Sequence, residues 1–112
     1  MRRGWIGVDF DGTLVVDDLS GEEEPVPLML SRVKRWLDEG QEVRIVTARV
    51  GSNRGSMDAD NQRDHIEEWC RAYLGLVLKV TAEKDYEMIE LWDDRAVQVI
   101  KNTGKRVGNH KR

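Results

Sequence analysis

Residues 8–14, Val8-Asp9-Phe10-Asp11-Gly12-Thr13-Leu14, place two carboxylates two positions apart, where the apolar run of Trp5, Ile6 and Val8 meets a glycine. Trp5 to Asp9 predicts a first strand, apolar enough to be buried on both faces. On a strand, residues i and i+2 point to the same side. Asp9 and Asp11 are therefore aimed at one spot off the strand's carboxyl end, where open α/β sheets bind their ligands. Acids held this close repel each other unless a cation lies between them or one keeps a proton. Metal binding and acid/base chemistry are the two uses open to such a pair.

Outward from this run, residues 14–27 read as a short hairpin-like excursion followed by an acidic loop, Glu22-Glu23-Glu24. The loop is expected to be solvated, since consecutive side chains on a loop do not converge. Pro25 and Pro27 introduce a helix through about Glu39, with Leu30, Val33 and Leu37 at helical spacing, and Gly40 supplies its stop. Glu42 to Thr47 predicts a second strand. After the polar loop 51–56, a helix runs from about Asp58 or Asp60 to Tyr73, with the stripe Ile66, Trp69, Cys70, Tyr73 and Leu74. Cys70 reads as a small core residue, and His65, beside the stripe, as an exposed or capping histidine. Leu76 to Val80, Met88 to Trp92 and Val97 to Ile100 predict three more strands. Strands alternating with helices imply a three-layer, Rossmann-like α/β fold: a mostly parallel five-stranded sheet with helices on both faces.

With 112 residues, 35% of them charged and 39% hydrophobic, the chain has the composition of one soluble domain. The domain is expected over residues 1–104, with a basic tail over 105–112. The net charge of −3 gives no global reason to expect nucleic acid. The last stretch differs, since Lys101, Lys105, Arg106, Lys111 and Arg112 occur there without an acid. A single cysteine excludes an internal disulfide and fits a cytoplasmic setting. The apolar run after Met1-Arg2-Arg3 ends at Asp9, too soon for a signal sequence, and no segment reaches membrane-spanning length.

The right-handed crossover rule brings the strands' carboxyl ends to one edge. Asp9 and Asp11 leave the first strand there, Thr47 the second, and Asp93-Asp94 the fourth, with Lys84 in the preceding connection. Taken singly, Asp11-Gly12 is a turn signal, Asp93-Asp94 a cap or loop, and Thr47 and Lys84 ordinary residues. Taken together they put four carboxylates, a hydroxyl and an ammonium in one crevice. Mg2+ suits that set, because hard cations take carboxylate oxygens and Mg2+ is completed by water and phosphate.

In this order and spacing the chain resembles a small, capless phosphatase of the haloacid dehalogenase (HAD) superfamily. Asp9-Phe10-Asp11-Gly12-Thr13 resembles the first motif of that family, Thr47 the second, Lys84 the third and Asp93-Asp94 the fourth. Lys79 competes for the third role but falls within a predicted strand. The resemblance implies a Mg2+-dependent phosphomonoester hydrolase in which Asp9 is the nucleophile and Asp11 the acid/base. Asp9, Asp93 and Asp94 would hold the metal with help from the Asp11 backbone. Thr47 and the backbone about Gly12 would bind the phosphoryl group, and Lys84 would balance charge. Arg49, two residues past Thr47, either reaches substrate or pairs with an acid. The absence of a sizeable cap implies an open site for bulky phosphoesters, such as terminal phosphates of nucleic acid, as in the similar 3′-phosphatase domains of polynucleotide kinase-phosphatases. A receiver-like phosphoacceptor module and a non-catalytic relative are the competing readings.

Overall fold

The computed structural model describes residues 2–108; Met1 and the tail residues Lys111 and Arg112 lie outside them. The elements follow as β1 (Trp5–Asp9), α1 (Pro27–Asp38), β2 (Glu42–Val46), α2 (Ser56–Leu74), β3 (Lys79–Thr81) and β4 (Met88–Trp92), with 3₁₀ turns at Ala48–Val50 and Ser52–Arg54. The strands form one sheet in the order β3-β2-β1-β4, with every pair parallel. The chain is thus an α/β fold on a parallel sheet, but the sheet has four strands rather than the expected five.

The fifth strand, expected at Val97 to Ile100, pairs instead with the chain that follows it. Asn102 and Gly104, both at positive φ, reverse the backbone. Ile100 N–H then donates to the Lys105 carbonyl at 2.7 Å, and Val107 N–H to the Gln98 carbonyl at 2.9 Å. Among the described residues this segment is paired only with its own return, and β4 stays at the edge of the sheet. The third strand is also shorter and later than expected: Leu76 and Val77 are spent, half exposed, between α2 and β3.

Helices on both faces are not found either. In register, Ile6 and Val8 stand beside Val43 and Ile45, and Ile45 beside Val80. These residues join Met29 and Val33 of α1 and Ile66, Trp69 and Cys70 of α2 in one buried cluster. Both crossovers step in the same direction along the sheet, so right-handed connection puts both helices on the same face. The β3–β4 connection, residues 82–87, contains no helix. On the opposite face, which no helix covers among the described residues, Trp5 is nonetheless fully buried. The Arg44 guanidinium lies 4.4 Å from its ring centre, and Trp5 Nε1–H donates to Asp85 at 2.8 Å. A polar strap does the covering that a helix does in doubly covered sheets.

The excursion at 14–27 closes as the hairpin-like element expected: Val16 N–H donates to the Glu24 carbonyl and Val26 N–H to Leu14, each at 2.8 Å. Phe10 packs edge-on against Trp69 of α2 at 5.4 Å, so the end of β1 is seated on the core. Ile45, fully buried in β2 between its two neighbours, is a suitable probe of that core. Ile45→Ala is expected to lower the unfolding free energy by about 2–5 kcal/mol in urea titration; a loss below about 1 kcal/mol would contradict its burial.

Candidate functional site

Because β1 and β4 are parallel neighbours with Val8 beside Trp92, Asp9 and Asp93 leave the sheet side by side. Carboxylate oxygens of Asp9, Asp93 and Asp94 lie within 4.8 Å of one another. An octahedral Mg2+ with oxygens at about 2.1 Å spaces neighbouring ligands about 3 Å apart. The set is close enough to share a hard cation after small side-chain adjustment, and its all-oxygen chemistry fits one. The loop after β1 holds this cluster. Thr13 Oγ1 accepts from the Asp94 N–H at 3.0 Å and lies 3.2 Å from Asp94 Oδ1 and 3.5 Å from Asp9 Oδ2. Thr13 was legible only as part of a motif, yet it is the link between the two acidic strand ends.

Gly12 has a different part from the one expected. Its N–H is already engaged by the Val15 carbonyl at 2.9 Å, so it does not offer a donor to a phosphoryl group. Its φ is +81°, and a Cβ there would come 2.8 Å from Asp94 Oδ2. Glycine is required because Asp94 packs onto that backbone.

Burial pushes the Asp9 carboxyl up to about 7, helped by its hydrogen bond to Asp94 and by the charges of Asp93, Asp94 and Asp11. The same hydrogen bond holds Asp94 below the usual carboxylate range, aided by Thr13 and the Arg95 charge.

The Asp11 side chain does not join the cluster. Both of its oxygens are gripped by Arg49: Nε–H donates to Oδ2 at 2.9 Å and NH2 to Oδ1 at 2.6 Å. Of the two readings of Arg49, pairing with an acid is the one seen here. Arg49 also reaches Glu23 at 2.8 Å and Gln62 at 3.3 Å, and it lies over the Phe10 ring at 5.2 Å. Burial opposes its charge, but the hydrogen bonds and charges of Asp11 and Glu23 outweigh that and raise its pKa. Glu23 departs from the solvated loop expected of it: its side chain is only 14% exposed, and it also meets His65, itself largely exposed.

Thr47 is buried and caps the 3₁₀ turn Ala48–Val50, its hydroxyl oxygen accepting from the Arg49 N–H at 3.2 Å. That leaves its hydroxyl hydrogen for a ligand in the cleft of about 540 Å³, which it lines with Asp9, Asp11 and Asp93. Asn53, Arg54 and Arg95 also line the cleft, and Arg54 is in addition paired with Asp58 at 2.7 Å; neither arginine was anticipated from the sequence. Lys84 is exposed and lies outside this lining. After Ala82 the chain turns back toward the start of β4, where Asp85 meets Trp5, and it carries Lys84 away from the acids. Lys79 is exposed on β3.

No protein-family profile and no curated protein matches this sequence. The solved structure of a conserved protein from Bacteroides thetaiotaomicron is similar, with a TM-score of 0.59 over 86% of this chain and 79% of that one at 24% identity. That likeness shows the fold alone. No helix among the described residues is long and apolar enough to cross a membrane.

The Asp9 shift gives a pH dependence. Its native pKa of about 7 lies above its unfolded value of 3.8, so between those values the folded state binds more protons than the unfolded one. Stability then falls as pH rises through that window. In chelator-treated protein, Tm by scanning calorimetry is expected to drop between pH 5 and 7.5, and Asp9→Asn to flatten that drop. A Tm that rises over this range in the unsubstituted protein would refute the assignment.

Proposed function

We propose that the chain is a Mg2+-dependent phosphomonoester hydrolase of HAD type that works through an aspartyl-phosphate on Asp9. The observation that carries the reading is the convergence of Asp9, Asp93 and Asp94 at the ends of adjacent strands, beside the buried Thr47 hydroxyl in one cleft. A sheet-edge crevice of this kind is where α/β folds place chemistry, and hard cations choose such oxygens. Mg2+ held by Asp9, Asp93 and Asp94 would let an anionic nucleophile approach an anionic phosphoryl group.

In this mechanism an Asp9 oxygen attacks phosphorus and the ester oxygen departs with a proton from Asp11. Asp11 then takes a proton from water, the water oxygen attacks phosphorus, and the bond to Asp9 breaks to release phosphate. Because Arg49 holds both Asp11 oxygens, proton delivery requires one of them to leave the guanidinium fork and take up the proton while the other stays held. Thr47 donates to a phosphoryl oxygen. The cationic part given to Lys84 on the family pattern falls here to Arg49, whose guanidinium is in the cleft.

Arg54, shared with Asp58, and Arg95 in the lining support a substrate with further negative charge beyond the scissile group. No cap covers the cleft among the described residues, and the excursion that stands in a cap's place spans only 14–27. Both features favour bulky phosphoesters, with terminal phosphates of nucleic acid the foremost class.

Asp9→Asn is expected to abolish Mg2+-dependent release of phosphate from p-nitrophenyl phosphate while circular dichroism stays unchanged; full turnover by the folded variant would refute the nucleophile. Incorporation of one phosphate per protein without turnover would indicate a phosphoacceptor instead. On substrate class, 3′-phosphorylated oligonucleotides are expected to be hydrolysed with kcat/KM at least tenfold above small sugar phosphates, and Arg54→Ala with Arg95→Ala to erode that preference. Equal kcat/KM for both would remove the nucleic-acid assignment.

A further inference from the structure

Within the acidic run Glu22-Glu23-Glu24, only the middle residue turns inward. Its neighbours are exposed, while the Glu23 side chain is 14% exposed. Glu23 reaches this position through a backbone φ of +57°, a region that non-glycine residues seldom adopt. Closure of the excursion does not call for the Glu23 carboxylate. The Glu24 carbonyl is bonded to Val16, and Trp69 Nε1–H donates to the Glu23 backbone carbonyl at 3.0 Å. The side chain is a separate feature, and it is spent on Arg49 and His65.

We propose that Glu23 is a positioning residue of the cleft, holding Arg49 through NH1 so that the other edge of the guanidinium fixes Asp11. This rests on the phosphatase reading. Every guanidinium nitrogen is engaged: Nε and NH2 take the two Asp11 oxygens, at 2.9 and 2.6 Å, and NH1 takes the Glu23 carboxylate at 2.8 Å and, more distantly, Gln62 at 3.3 Å. Phe10 supports the plane of the group from below. A guanidinium is a rigid planar fork, so fixing NH1 fixes the direction in which Nε and NH2 point. Asp11 is then oriented by two carboxylates competing across one cation, and small errors in placing an acid/base group are costly in rate. His65 and Gln62, both on α2, reach Glu23 and Arg49 respectively. The chain of contacts thus runs from the excursion and α2 to the acid/base residue.

The test uses p-nitrophenyl phosphate with Mg2+ and the Glu23→Gln protein, folding verified by circular dichroism. The expected result is a fall in kcat of tenfold or more with KM within twofold of the parent. In an Arg49→Lys background, Glu23→Gln is expected to cause no further loss, because two changes on one path are not additive. The Arg49 Nε–H resonance gives a readout independent of turnover: slow exchange in the parent and fast exchange in Glu23→Gln. Should Glu23→Gln not fold, Glu23→Asp, one methylene short of NH1, is expected to show the same losses. Parent-like kcat in a folded Glu23 variant, multiplicative losses in the double variant, or unchanged exchange of Arg49 Nε–H would each overturn the proposal. If the parent protein has no turnover while the exchange difference is present, the clamp stands and the phosphatase reading falls.

Discussion

Repulsion among carboxylates governs one end of this sheet. Asp9, Asp93 and Asp94 are brought together by the pairing of β1 with β4. The chain meets that constraint with burial and acidic neighbours that favour the protonated form of Asp9, a threonine hydroxyl between the two strand ends, and a guanidinium that holds both Asp11 oxygens. A hard cation would answer the same constraint more completely, since it offsets several charges at once.

Much of this was legible in the sequence. The strand that presents Asp9, the helix stop at Gly40, the second strand ending beside Thr47 and the acidic end of β4 all follow from hydrophobic period and turn chemistry, which act locally. What was not legible depends on distant partners. Val97 to Ile100 has the composition of a strand, but whether it joins the sheet or turns onto residues 105–107 is decided by Asn102 and Gly104. Helices on both faces were inferred from alternation alone, whereas the helix-free connection at 82–87 leaves one face to Trp5, Arg44 and Asp85.

The site shows the same division. Residue types at strand ends located the acids and Thr47, because the backbone carries those side chains to their place. The use of each side chain was harder to read. Gly12 was legible as a special residue, but its N–H is spent on Val15, and its value is the space it leaves for Asp94. Lys84 was placed by spacing, which does not register that the connection doubles back beneath the sheet. Glu23 was masked by its neighbours: three glutamates in a row carry no sign of which one turns inward.

The strand order has a consequence for how the cleft comes into being. Trp5 of β1 pairs with Met88 of β4, so the ladder that unites Asp9 with Asp93 and Asp94 joins the two ends of the chain. Closing so long a loop costs more entropy than any other pairing in the sheet. Yet β4 has a strand on one side only, and it is held there by few buried residues of its own. The half of the sheet built from β1, β2 and β3 can form without ever gathering the acids. The crowded centre is completed by an edge strand, so local opening at that edge would disperse the charges.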